Sequence, residues 1–74
     1  MALDGGADGL VFYRAIADLW IPLLKPGGLI AVEVGEGQSR DVGELFAAAG
    51  IERIRYAQDF SGIERVVYGT APRE

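Results

Sequence analysis

Three acidic residues in this chain stand beside glycines or opposite a residue of complementary chemistry, and any chemistry should be sought there. Asp4 is followed by Gly5 and Gly6, Glu33 closes an apolar run shortly before Gln38, and Asp59 precedes Arg65 by the length of a tight loop. A carboxylate can accept hydrogen bonds from an amide or hydroxyl, act as a general base, or close a loop by holding backbone N–H groups. Glu33 is expected near the C-terminal end of a strand, the edge at which open α/β sheets bind ligands. The reading adopted for it is structural, capping backbone amides or pairing with an arginine. Gln38 is expected to begin a helix rather than meet a ligand. Asp59 and Arg65 are expected to pair across a hairpin loop whose turn uses Gly62. The chain has no His and no Cys, which removes the commonest general base, thiolate metal ligands and disulfides.

The elements that must position these residues follow from periodicity and turn chemistry. Positions 1–8 form a Gly/Asp-rich loop, with Asp8 as the expected N-cap of a helix. From Gly9, the residues Phe12, Ile16, Leu19, Trp20 and Leu23 recur at helical spacing, and Phe12 and Trp20 are expected to be core. Pro22 should end or kink that helix. Lys25-Pro26-Gly27-Gly28 makes a turn, and Leu29 to Val34 is a nearly continuous apolar run, predicting a strand covered on both faces. Gly35 to Ser39 is a short loop. A helix over 40–49 would bury Val42, Leu45, Phe46 and Ala49, with Gly50 as its stop. Ile51 to Gln58 alternates, with Ile54 and Tyr56 on one face and Arg53 and Arg55 on the other. Asp59 to Ile63 is a hairpin loop, Glu64 to Thr70 the returning strand, and 71–74 a frayed tail. The fold class is α/β, helix–strand–helix–strand–strand, ending in an antiparallel hairpin.

Seventy-four residues make one small domain, near the size at which a single core is marginal. Half the residues are apolar and the net charge is −4, which argues against a disordered tail and against non-specific nucleic-acid binding. Apolar runs are broken too early for a membrane span, and Asp4 and Asp8 occupy the place of a basic signal-peptide region. A cytoplasmic location is the expectation.

The chain resembles the C-terminal part of the HemK/PrmC family of protein-glutamine N-methyltransferases, which belong to the class I S-adenosylmethionine (SAM) methyltransferases. The resemblance rests on Ala2-Leu3-Asp4-Gly5-Gly6, Gly9-Leu10, Tyr13, Leu24-Lys25-Pro26-Gly27-Gly28, the ExGxxQ pattern of Glu33, Gly35 and Gln38, Gly50, and the DxxGxxR pattern of Asp59, Gly62 and Arg65. LKPGG is shared by many methyltransferases; the ordered set is far more specific. The resemblance implies the C-terminal portion of a Rossmann-like sheet. It also implies a parent reaction that methylates a glutamine side-chain amide of peptide chain release factors with SAM as donor. It places Asp4, Gly5 and Gly6 on the substrate side of the parent site, or else as a helix lead-in. The family's SAM-binding glycine loop and its Asn-Pro-Pro-Tyr motif lie upstream of this region and do not occur here. A single partial domain over 1–74 is therefore expected, with no catalytic or cofactor-binding residue assigned and no methyl transfer by the isolated chain.

Two alternatives remain open. Glu33-Val34-Gly35-Glu36-Gly37-Gln38-Ser39 reads ExGxGxS between a strand and a helix, close to a SAM-binding loop, with Asp59 following at roughly 20 residues. Against it stand the side chain of Ser39 at the third glycine position, the second acid Glu36, and the immediate return of the chain after Asp59. The other alternative is a non-catalytic interaction or oligomerisation module. In the parent fold that the resemblance implies, Leu29–Val34 would be an interior strand with one neighbour missing here, which predicts a homodimer or higher assembly through that strand or through swapped helices.

Overall fold

A computed structural model of the chain describes residues 9–73. Asp4, Gly5, Gly6, Asp8 and the predicted 1–8 loop lie outside these residues. The chain enters as α1 (Val11–Ala15), with Leu10 rather than Asp8 at the N-cap position. It continues through a π-helical turn over Ile16–Trp20 and a 3-10 turn over Ile21–Leu23 that carries Pro22 in its first positions. Next come β1 (Leu29–Glu33), α2 (Ser39–Ala48), β2 (Glu52–Gln58) and β3 (Glu64–Thr70).

The sheet order is β1-β3-β2, with β3 antiparallel to both neighbours. β1 and β2 therefore run parallel to each other with the returning strand inserted between them. This is the helix–strand–helix–strand–strand α/β arrangement the pattern predicts, and the last two strands form the expected antiparallel hairpin. α2 ends in a Schellman motif. Gly50, at φ +102°, donates to Ala47 O, and Ile51 N donates to Phe46 O at 3.0 Å. Close approach matters at Gly69: a Cβ there would lie 2.9 Å from the backbone oxygen of Glu52. β2 bulges beside it, between Glu52 and Arg55, with Arg53 at φ 58°.

Both helical segments cover one face of the sheet. Val42 and Phe46 of α2, Val67 of β3, Val34, Ile51 and the N-terminal residues Leu10, Ala17 and Ile21 form one core, with Ile30, Val32, Ile54 and Tyr56 packed against it. The cross-strand rows of the other face are Leu29 with Thr70, Ala31 with Tyr68 and Arg55, and Glu33 with Val66 and Ala57. Leu29, Ala31 and Glu33 are exposed in that face.

Four expectations are corrected. β1 is covered on one face rather than two, because no described helix lies over its odd-numbered residues. The N-terminal helix also turns a different side inward: Phe12 is 64% and Trp20 63% exposed, with Leu19 and Leu23 similarly open. The stripe that meets the sheet is Leu10, Tyr13, Ala17 and Ile21. Both stripes are apolar at helical spacing, so the period alone does not decide which of them faces the sheet. Finally, the first tail residue is held rather than frayed: Ala71 is buried, its N–H donates to Gly28 O at 2.8 Å, and Gly27 N donates to Ala71 O. In α2, Ala49 is likewise exposed rather than buried, and Gly43 takes the inward position.

Phe46 has no exposed surface, and truncating such a side chain costs about 3–5 kcal/mol. A core of this size rarely supplies more than about 3–5 kcal/mol in total. Phe46→Ala is expected to abolish the cooperative urea transition seen by circular dichroism. Trp20→Ser should shift stability by no more than about 0.5 kcal/mol. A comparable loss in both variants would return Trp20 to the core.

Candidate functional site

β1 and β2 are parallel, so their C-terminal ends lie at one edge of the sheet, where β3 also begins. That edge gathers the loop from Val34 to Gln38 and the hairpin from Asp59 to Ile63. Between them an open pocket of about 350 Å³ is lined by Glu33, Val34, Arg65 and Val66. A larger depression of about 430 Å³ lies between the N-terminal helix and α2, lined by Leu10, Arg14, Asp41, Glu44 and Leu45. Of the acidic and amide residues singled out above, Glu33, Gln38 and Asp59 do not line it.

Glu33 stands at this edge as expected, but its side chain meets no arginine and no backbone amide among the described residues. Its carbonyl is the engaged group, accepting from the Tyr13 hydroxyl at 2.9 Å. The carboxylate is left exposed beside the pocket, where it can accept a hydrogen bond from an amide N–H or a hydroxyl. Gln38 occupies the N-cap position of α2, in keeping with a helix start. Its Oε1 reaches back to accept from Gly35 N at 2.9 Å, while its own N–H donates to Gly35 O.

Asp59 and Arg65 pair across the hairpin, Nε to Oδ2 at 3.1 Å. Asp59 Oδ1 also accepts from Ser61 N and Ile63 N, and Gly62 N donates to Asp59 O with Gly62 at φ +83°. The backbone bond from Ile63, then the Arg65 guanidinium, hold the Asp59 carboxyl below the usual carboxylate range.

One cluster has no local signal in the sequence. Ser39, buried, donates from Oγ to Glu64 Oε1 at 2.5 Å, and Arg40 Nη2 pairs with Glu64 Oε2 at 2.8 Å. Arg40 also lies 4.1 Å from the centre of the Tyr56 ring. Arg40, then Ser39, hold Glu64 below the ordinary carboxylate range, and Glu64 in turn raises Arg40. The two ends of this contact are 25 residues apart, beyond any motif window.

This geometry also tests the ExGxGxS loop as a cofactor cradle. The Gly35 N–H is taken by Gln38, and the third position carries a buried Ser39 bonded to Glu64. The loop does not offer the side-chain-free packing at its third position that a nucleotide loop needs. No cofactor site is assigned to it. Among the described residues there is also no group of three or more His, Cys, Asp or Glu able to hold a metal ion. No described helix is long and apolar enough to cross a membrane.

No protein-family model matches the chain. Curated proteins do. The chain is 52% identical over 69 residues to the release factor glutamine methyltransferase of Caulobacter vibrioides, covering 93% of this chain and 24% of that protein. The corresponding protein of Rhodospirillum rubrum is 50% identical over 64 residues, covering 86% and 20%. A crystal structure of the release factor-specific protein-(glutamine-N5) methyltransferase from Alicyclobacillus acidocaldarius superposes with a TM-score of 0.70 at 39% identity, covering 88% of this chain and 42% of that one. The chain belongs with the release factor glutamine methyltransferases. It spans about a quarter of the length of these curated relatives. The match to a methyltransferase structure supports the α/β fold class read from the sequence.

The acid side of the stability profile reports on the two held carboxylates, Asp59 and Glu64. Their folded pKa values lie below the unfolded ones, so their stabilising effect is fully present above the ordinary carboxylate pKa. It is lost as pH falls through the lowered folded values. The urea midpoint should therefore be level from neutrality to about pH 5 and fall below about pH 4. The fall should be small because both pairs are partly solvated. Asp59→Asn should make the acid limb shallower; an unchanged limb would mean that the Asp59 turn contributes nothing to folding.

Proposed function

We propose that the chain forms the C-terminal part of the catalytic domain of a SAM-dependent methyltransferase acting on a glutamine side-chain amide of a peptide chain release factor. One observation carries the proposal. The residues that align with the Caulobacter protein at 52% identity fold as two parallel strands with a single antiparallel strand between them, and the fold superposes on the Alicyclobacillus enzyme. In this reaction the SAM methyl group passes to the amide nitrogen, the nitrogen loses a proton, and S-adenosylhomocysteine leaves. An amide nitrogen is a weak nucleophile, so the catalysis needed is chiefly positioning.

The contribution of these residues is the wall of the substrate site at the C-terminal edge. The exposed Glu33 carboxylate accepts a hydrogen bond from the incoming protein segment, and the Gln38 and Asp59 clamps keep the flanking loops in place. Asp4, Gly5 and Gly6 are assigned to the substrate side of the same site. The cofactor cradle and the groups that orient the amide are supplied from beyond these 74 residues, so the isolated chain transfers no methyl group.

A second reading, an oligomerisation module, is favoured by the free edge of β1. Val34 N donates to Arg65 O, and Ala71 N donates to Gly28 O. By the alternation of an antiparallel ladder, the backbone groups of Leu29 and Ala31 therefore point away from β3. Strand Leu29–Val34 of the isolated chain is assigned to pairing with a second copy. Tyr13 closes the far end of that edge by occupying the Glu33 carbonyl.

Two measurements test these readings. Titration of the isolated chain with S-adenosylhomocysteine, followed by amide NMR, should give no saturable shifts over Gly35–Ser39, and a methyl-transfer assay with release factor should read blank. Saturable shifts there, or transfer by the chain alone, would overturn the placement. Light scattering should show a dimer that Ala31→Pro converts to a monomer, since the Ala31 N–H is not needed by β3. A wild-type monomer at high concentration would remove the oligomer reading.

A further inference from the structure

Phe60 is the most exposed large apolar residue described, at 111% of its reference surface. It contributes nothing to the core, yet the loop carrying it is among the most tightly bonded segments of the chain. Asp59 N donates to Ile63 O at 2.9 Å, Gly62 N donates to Asp59 O at 3.0 Å, and the Asp59 carboxylate holds Ser61 N, Ile63 N and Arg65 Nε. An aromatic side chain on a backbone fixed in this way loses little conformational freedom when it is bound. Aromatic anchors of this kind are where binding energy concentrates at protein interfaces.

The position is connected to the site described above. Arg65, which clamps Asp59, also lines the pocket beside Glu33, so Phe60 follows directly on the residue that braces the pocket wall. Phe60 projects from the surface, and a partner must therefore offer a concave apolar socket. A small molecule held in the pocket would not enclose it. A second copy of the chain is expected at the edge of β1, a different strand from the β2–β3 hairpin that carries Phe60.

We propose that Phe60 is a docking anchor for the protein substrate. It inserts into an apolar socket on a release factor, next to the segment that presents the glutamine to the Glu33 edge. This rests on the release factor reading given under the proposed function and adds the residue that selects a folded protein over a free glutamine peptide.

The test is binding of an intact recombinant bacterial release factor to the isotopically labelled chain, followed by NMR, for the wild type and for Phe60→Ala, Phe60→Leu and Trp20→Ser. Trp20 is an equally large exposed aromatic outside this edge, so it controls for general apolar adhesion. Phe60→Ala should weaken binding roughly tenfold or more with an unchanged urea midpoint, Phe60→Leu should keep most of the affinity, and Trp20→Ser should bind as wild type. A short glutamine peptide should bind the wild type and Phe60→Ala equally. Equal affinity of wild type and Phe60→Ala for the intact factor overturns the proposal and leaves the methyltransferase reading standing. Equal weakening in Trp20→Ser overturns it as adhesion. Absence of release factor binding by every form also overturns it. The fate of the methyltransferase reading is then decided separately, by methyl transfer from a longer polypeptide that contains the chain.

Discussion

The insertion of β3 between β1 and β2 is the constraint on which the rest of the structure depends. The two parallel strands are not neighbours, so neither has a ladder partner among the described residues until β3 returns between them. Val67, at the middle of β3, has no exposed surface; it faces Val32 on one side and Tyr56 on the other. The crossover through α2 must therefore leave a gap one strand wide. Glu64 fixes that spacing by tying the first residue of β3 to Ser39 and Arg40 at the start of α2. Gly69 permits it at the other end, where β2 passes too close for a side chain.

The same topology decides how the burial is shared. α2 and the N-terminal segment lie on one face, so the helical face of the sheet becomes a core while the row from Leu29 to Glu33 stays open. The N-terminal segment is apolar on two sides. It turns Leu10, Ala17 and Ile21 toward the sheet and leaves Phe12, Leu19, Trp20 and Leu23 outward. A chain with so much apolar surface uncovered draws little of its stability from that surface. This is why α2, with Val42 and Phe46 fully enclosed, matters so much to the fold.

Legibility in the sequence followed the range of the interactions. The hairpin from Asp59 to Arg65 could be read because its determinants are local: an aspartate, a turn glycine and an arginine within one loop. The stop at Gly50 and the start at Gln38 were legible for the same reason. The inward face of the first helix was not, because two apolar stripes satisfy the same period and the choice between them is made by packing against the rest of the core. The contact of Ser39 and Arg40 with Glu64 was invisible because it joins residues far apart in the chain. The single-sided cover of β1 was missed because a continuous apolar run reports that a strand can be buried on both faces, not that it is.

The motifs that point most specifically to the methyltransferase family are used mainly to shape the edge of the sheet. In the ExGxxQ pattern, Gln38 is occupied in closing its own loop on Gly35, and only Glu33 keeps a carboxylate available at the pocket. In the DxxGxxR pattern, Asp59 and Arg65 are occupied with each other and with the turn backbone, and Gly62 supplies the positive φ that the turn requires. A polar side chain whose hydrogen bonds are taken by its own loop has little capacity left for a ligand, but it fixes what its neighbours present. That division of labour accounts for the specificity of these motifs without assigning them chemistry. A proton-transfer residue can often be moved, given a suitable pKa and reach, whereas a loop clamp needs one side chain of one length at one spacing. What a segment built in this way contributes is a fixed geometry at the edge of the sheet, with the Glu33 carboxylate as the one acidic group lining the pocket there left open to a ligand.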